Sequence, residues 1–326
     1  MILRKMFFSC IVLAAAFSLA GCDSTDDPAQ TGSDCAARAG SHVFRFSNAD
    51  GAQQVPVVQN AGLIASGSLT MDTATGAASG SLEIRPLQTL VTLPVTTVTA
   101  VRVHEGARGA NGDSVVSMVG SGNGVWRTPD GMALNPSQVS SFIGGNLYFN
   151  VITVAHPEGE IRGQIVTPPA ADTLSPYVPA DKQQRRPAFP DVSHVARIVI
   201  KFQEGTGIRL REGTLIPLFA DRSAVTNGLQ IPVPELCGEL RTVEAHAQDL
   251  SLTLGPSILL DEARLLELKA NGELLSGRQL ADMNLFFGAR ITPGLTMAQL
   301  ESFVAAMNAL RSVEISYLEP IAAPLP

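Results

Sequence analysis

The sequence predicts two folded units of different class. Residues 42–167 read as a mainly β unit, an antiparallel sandwich or barrel, and residues 192–326 as an α+β unit. Three observations carry this. Up to residue 167, apolar residues recur at period two in short runs separated by turn residues, without a long helical period. Between 168 and 191 the chain holds six prolines, a density that excludes regular structure and favours an extended linker. After 192, period-two runs alternate with runs of helical period. Two domains also suit a chain of 326 residues.

In the first unit, strands are expected over 42–46, 67–71, 80–84, 95–104, 114–119, 124–127, 146–151 and 160–166. Turns are expected at 48–51 and 72–76 and at Asn111-Gly112. Only 136–143 reads as a short helical turn. Gly120 to Gly124 looks superficially like a phosphate loop, but it precedes a strand and is read as a hairpin turn. Residues 145–166 organise the unit. Leu147, Phe149 and Val151 alternate with Asn146, Tyr148 and Asn150, and Pro157 and Gly159 mark a turn. Ile161, Gly163 and Ile165 then alternate with Glu160, Arg162 and Gln164. Glu160 and Arg162 share a face and could pair there, for less than ~1 kcal/mol if exposed.

In the second unit, 195–202 reads as a strand with Ala196, Ile198, Ile200 and Phe202 inward and Arg197 and Lys201 outward. Gly205, Gly207 and Gly213 bound a hairpin-like region reaching Leu218. Ser257 is expected to cap a helix through Lys269, stopped by Asn271-Gly272 and burying Leu259, Ala263, Leu266 and Ala270. A strand follows over 282–291. Thr296 and Gln299 fit a capping box opening a helix at Met297, whose buried stripe is Leu300, Phe303, Val304, Met307 and Leu310. Val313, Ile315 and Tyr317 alternate in a last strand. This order suggests a ferredoxin-like fold.

The N-terminus carries the firmest address. Arg4 and Lys5 precede an apolar run over 6–20 that is short for a membrane span. It ends Leu19-Ala20-Gly21-Cys22 and resembles a bacterial lipobox. Residues 1–21 would be the signal peptide and Cys22 the lipid acceptor; an ordinary signal peptide is the alternative. The lipid would hold the chain to a membrane, inner or outer. Residues 22–41 are small and polar and read as a flexible tether. Cys35 and Cys237 remain as two thiols or one disulfide.

Further readings come from likeness. Gly51-Ala52-Gln53-Gln54-Val55-Pro56, Val101-Arg102-Val103-His104-Glu105-Gly106, Asn111-Gly112, Trp126 and Gly159-Glu160-Ile161-Arg162-Gly163-Gln164-Ile165 together resemble a CHRD domain, the module named after chordin. The resemblance implies an extracellular β-sandwich-like unit used for binding or support. The family pattern places a His-x-His in the middle strand and a third His in an Asn-Val-His-Thr segment. Here Arg102 and Ile152 stand at two of those places, leaving His104 as a weak metal candidate with His156 in a nearby loop. A His104 hydrogen-bonded near a sheet edge is the favoured reading, and neither metal nor cofactor is expected.

The second unit resembles the propeptide of bacterial subtilisin-like serine proteases, through Val199 to Thr206, Ala281 to Phe287 and Met307 to Pro320. That implies an inhibitor-like or interaction module whose tail, Tyr317, Leu318, Glu319, Pro320 and onward to 326, contacts a protease cleft.

Serine-hydrolase and zinc-protease signatures do not occur, and no catalytic domain is expected in this chain. Glu239, Glu244 and Asp249 beside His246 read as charged surface, and Arg185-Arg186 as a solvated pair. The net charge of −7 and the lack of a basic run make nucleic acid an unlikely partner. The expectation is a non-enzymatic, lipid-anchored cell-envelope protein whose partner is a subtilisin-like protease or another envelope protein. The alternative is the pro-region of a protease encoded separately or lost.

Overall fold

A computed structural model describes residues 35–87, 98–169, 173–182, 189–219 and 231–321. The expected signal peptide, Cys22, Arg185-Arg186 and residues 322–326 lie outside the described residues. No helix among the described residues is long and apolar enough to cross a membrane.

The first unit is built from β1 (His42–Ala49), β2 (Leu63–Asp72), β3 (Ala78–Pro86), β4 (Val98–Glu105), β5 (Ser114–Ser117), β6 (Val119–Gly122), β7 (Val125–Arg127), β8 (Leu147–Thr153) and β9 (Ile161–Ile165), with one helix, α1 (Pro136–Ile143). Two antiparallel sheets result, in orders β1-β2-β3-β7-β6 and β5-β4-β8-β9. Their inner faces enclose a core including Leu69, Leu82, Val103, Phe142, Phe149 and Ile161. The expected single strand over 114–119 divides at Met118, whose side chain is buried and whose N–H donates to Val101 O. There the chain passes from one sheet to the other. At the opposite corner, bridges Phe46↔Val166 and Asp50↔Arg162 join β9 to β1, so the sandwich is closed like a barrel at both corners. Asn48, expected in a turn, lies in β1, and the bend is a 3₁₀ turn at Gly51–Gln53 capped by Asp50.

The second unit contains β10 (Val195–Phe202), the hairpin β11 (Ile208–Arg211) and β12 (Thr214–Pro217), α2 (Val233–Asp249), β13 (Leu254–Pro256), α3 (Glu262–Ser276), β14 (Phe286–Arg290), α4 (Met297–Ala309) and β15 (Val313–Pro320). Its four-stranded sheet runs β13-β14-β10-β15, all neighbours antiparallel. With only the four strands of this sheet numbered along the chain, this is 2-3-1-4, the ferredoxin-like order. The α4 capping box is present as expected, and Leu300, Phe303 and Met307 are buried.

Several expectations are corrected. The helix expected from a Ser257 cap begins four residues later, because Asp261 caps it by accepting from the N–H groups of Ala263 and Arg264. It runs through Asn271-Gly272 and stops at left-handed Gly277. Leu259 lies outside it and is 92% exposed. The strand expected over 282–291 begins at Phe286, after a 3₁₀ turn at Met283–Leu285. Helix α2 had no counterpart in the sequence reading.

The expected tether and linker are partly docked. Cys35 bonds to Cys237 of α2 with Cα atoms 6.1 Å apart. Gly40 N and His42 N donate to the carbonyls of Pro217 and Leu218, each at 2.9 Å. Residues 35–41 are therefore fastened to the second unit before the chain enters the first. Phe44 and Leu266 pack against Ile216, Leu218 and Phe219 in a small shared core. Arg264 pairs with Glu83 at 3.1 Å, and Asn48 bonds Asn271 at 2.9 Å. Within the linker, residues 173–182 form a strap along the second unit. Ser175 N donates to Gly277 O and Gln279 N to Ser175 O, both at 2.9 Å. Tyr177 Oη and Ala180 N donate to Glu314, again at 2.9 Å.

Candidate functional site

The residues that carry the first unit's signature meet on the outer face of the β5-β4-β8-β9 sheet. Register decides this: His104 lies opposite Tyr148 and Tyr148 opposite Gln164, while Arg102 lies opposite Asn150 and Asn150 opposite Arg162. With period two, these side chains share the face turned away from the core. Arg162 is nevertheless 1% exposed and Glu160 7%, because the loops 50–62 and 106–113 fold over that face.

Glu160 and Arg162 do not pair; each has its own partners. Glu160 accepts from Gly62 N at 2.7 Å and Thr153 Oγ1 at 2.9 Å. The Arg162 guanidinium lies 3.6 Å from the centroid of the Tyr148 ring. It donates to the carbonyls of Ala110 and Ala107 at 2.9 Å each and to Gln164 Oε1 at 3.0 Å. Burial pulls its pKa down, and these acceptors with the ring face offset that desolvation. Gln164 Nε2 donates to Gly106 O and Gly145 O.

Ala107 and Ala110 are the ends of one turn, closed by Ala110 N to Ala107 O at 3.0 Å. Gly109 takes φ +80 in it, the position where only glycine sits without strain. Arg162 thus grips both ends of a single turn and leaves Arg108 and Gly109 exposed at its tip. Gln54 binds Asn150 at 2.7 Å, and Asn111 Nδ2 donates to Val55 O at 2.8 Å, tying the two loops together. Gly163 has to be small, since a methyl there would run into Ser47 and Ala49 of β1.

His104 stacks on Tyr148, ring centroids 5.2 Å apart. Its Nδ1 is 2.8 Å from Gly112 O. A carbonyl only accepts, so Nδ1 carries the proton. Nε2 is buried without a hydrogen-bond partner. His156 follows the far end of β8, beyond Thr153, whereas His104 faces Tyr148 near its start. Five residues of strand, about 17 Å, separate those positions. Among the described residues no three His, Cys, Asp or Glu side chains form a group able to hold a metal.

In the second unit, Lys201, expected outward, is 2% exposed. It pairs with Glu204 at 2.9 Å and with Glu314, beneath the Tyr177 ring of the strap. Burial pushes the Glu204 carboxyl up, against the pull of Lys201, and raises the Tyr177 phenol. Arg209 pairs with Asp282 at 2.9 Å. Sequence reasoning missed this network; the sole local signal was Lys201 and Glu204 three residues apart. Glu239, Glu244 and Asp249 do not cluster with His246. Glu239 accepts from Arg311 N and Ser312 N, Glu244 from Leu215 N, and His246 Nδ1 bonds Thr242 O. Tyr317, Leu318, Glu319 and Pro320 are part of β15, opposite Val199, Ile198, Arg197 and Val195 of β10. Arg197 pairs with Glu319.

Residues 46–165 match the CHRD domain. The bracket around Arg162 is therefore the meeting point of the CHRD unit's motif residues, and its polar atoms are turned inward onto loop backbone. The second unit lies outside the match. No curated protein matches the chain, and no solved structure does.

Proposed function

We propose that this chain is a non-enzymatic, lipid-anchored protein of the bacterial cell envelope in which the CHRD unit is a binding or adhesion module. The carrying observation is the use of the motif residues: Arg162, Gln164, Tyr148 and His104 brace an exposed turn, which suits presentation of a rigid surface. The buried Cys35–Cys237 disulfide supports an oxidising compartment outside the cytoplasm, and Cys22 would supply the anchor. The test has two parts. Labelled palmitate should enter the wild-type chain and not Cys22→Ser. Immobilised chain from residue 23 onward should capture an envelope component that a variant lacking the 107–110 turn does not. Labelling of both chains, or equal capture by both, would overturn the reading.

A second reading concerns the second unit as a protease-propeptide-like inhibitor or interaction module. The ferredoxin-like strand order supports it. The test is inhibition of a subtilisin by the chain from residue 23 onward, which keeps residues 35–41 and the strap. Absence of inhibition at micromolar concentration would leave the second unit as a support for the CHRD unit.

A further inference from the structure

Strand β15 is an edge of its sheet and has eight residues, against three in β13 at the other edge. A long edge offers its N–H and C=O groups to any other strand. Antiparallel pairing with β10 turns those groups outward at alternate residues. At Ser316 the outward groups are taken. Asn308 Nδ2 donates to Ser316 O at 2.9 Å, and Ser316 N donates to Asn308 Oδ1 at 2.8 Å. One side-chain amide copies the two-bond pairing that a neighbouring strand residue would supply. Leu318, two residues on, faces the same way, and Pro320 after it has no N–H to offer. The strap secures the arrangement: Lys182 Nζ donates to Asn308 O and Leu310 O at 3.0 and 2.8 Å, a cation against the last carbonyls of α4.

We propose that Asn308 is a built-in stop that closes the outer edge of β15 against a second copy of this chain. Two identical edges can meet antiparallel about a two-fold axis, so backbone pairing between copies is self-complementary. Edge β13 is short and ends in Pro256, and it offers no comparable template. Asn308 removes the central position of the long edge; Glu314 on one side is 1% exposed under the strap, and Leu318 on the other stands between a blocked residue and a proline.

The test is the mass of the chain from residue 23 onward, disulfide intact, by size exclusion with light scattering over a concentration series. Wild type is expected as monomer. Asn308→Ala is expected to double in mass at high micromolar concentration, with amide exchange at Ser316 and Leu318 slowing as the dimer forms. A folded Asn308→Ala chain that stays monomeric throughout would overturn the proposal. So would a dimer in which those two amides still exchange fast, or a wild-type dimer with Leu318 protected. Should the alanine variant lose its fold, Asn308→Leu keeps the size of the side chain and removes both bonds to Ser316. Its dimerisation supports the stop, and its remaining monomeric overturns it.

Discussion

Replacing Cys35 and Cys237 together by alanine should loosen both units at once. The bond spans 202 residues, so its loss returns about 18 cal/mol/K of entropy to the unfolded chain, about 5 kcal/mol at 25 °C. Part of that is offset, because the unfolded chain keeps residual contacts and is more compact than a free coil. The expected loss is therefore about 2–5 kcal/mol. The assay is urea unfolding of the oxidised chain and of the double variant. The single tryptophan, Trp126 on β7, reports the CHRD unit, and far-ultraviolet dichroism reports the helices of the second. Both signals should move to lower urea. A paired experiment cleaves the chain once within 168–191. The two pieces should migrate together without reductant and separate with it, because Cys35 lies before the cut and Cys237 after it. Pieces that separate without reductant, or a double variant within ~0.5 kcal/mol of wild type, would refute the account.

Arg162→Met should cost about 3–5 kcal/mol, because it strands the carbonyls and Gln164 side chain that the guanidinium satisfies, with faster amide exchange in the 106–113 loop. Arg162→Lys should recover part of the stability without restoring slow exchange at Ala110, since an ammonium cannot bridge both ends of the turn. Burial raises the Glu244 carboxyl above its ordinary 4.5, so protonation favours the fold. That stability is fully present below about pH 4.5 and lost as pH rises through the folded value. The Glu244→Gln chain, measured by thermal unfolding from pH 4 to 7, should lack that fall. Thr296→Ala removes the acceptor for Gln299 N in the α4 capping box and should cost about 1 kcal/mol in urea unfolding.

Much of the fold was legible wherever a local period met a local stop. The alternation in 145–166 marked β8 and β9, Thr296 with Gln299 marked the start of α4, and the change of period after 192 marked the second unit's class. Errors arose where tertiary contacts outweighed local preference. Asn271-Gly272 reads as a helix end, yet it continues inside α3, where Asn271 meets Asn48 and the neighbouring Ala270 is buried. Met118 splits a strand because it enters the core. Lys201 looks like a solvent-facing residue in VARIVIKF; Glu204 just after the strand and Glu314 and Tyr177 from distant segments enclose it.

The candidate site divides the same way. The sequence by itself set out the motif of the CHRD unit, because its residue types and spacing are recognisable and the match spans 46–165. It also determined the fold class of each region and most of its strands, since these rest on periodicity over a few residues, while helix α2 and strand β13 escaped it. Only the tertiary structure decided what the motif residues do. Whether Arg162 faces water, an anion or loop carbonyls depends on where the loop 106–113 lies. Whether residues 35–41 are a tether or a clasp depends on a partner 202 residues away. Burial and long-range pairing are properties of the assembled chain, and no local window of sequence contains them.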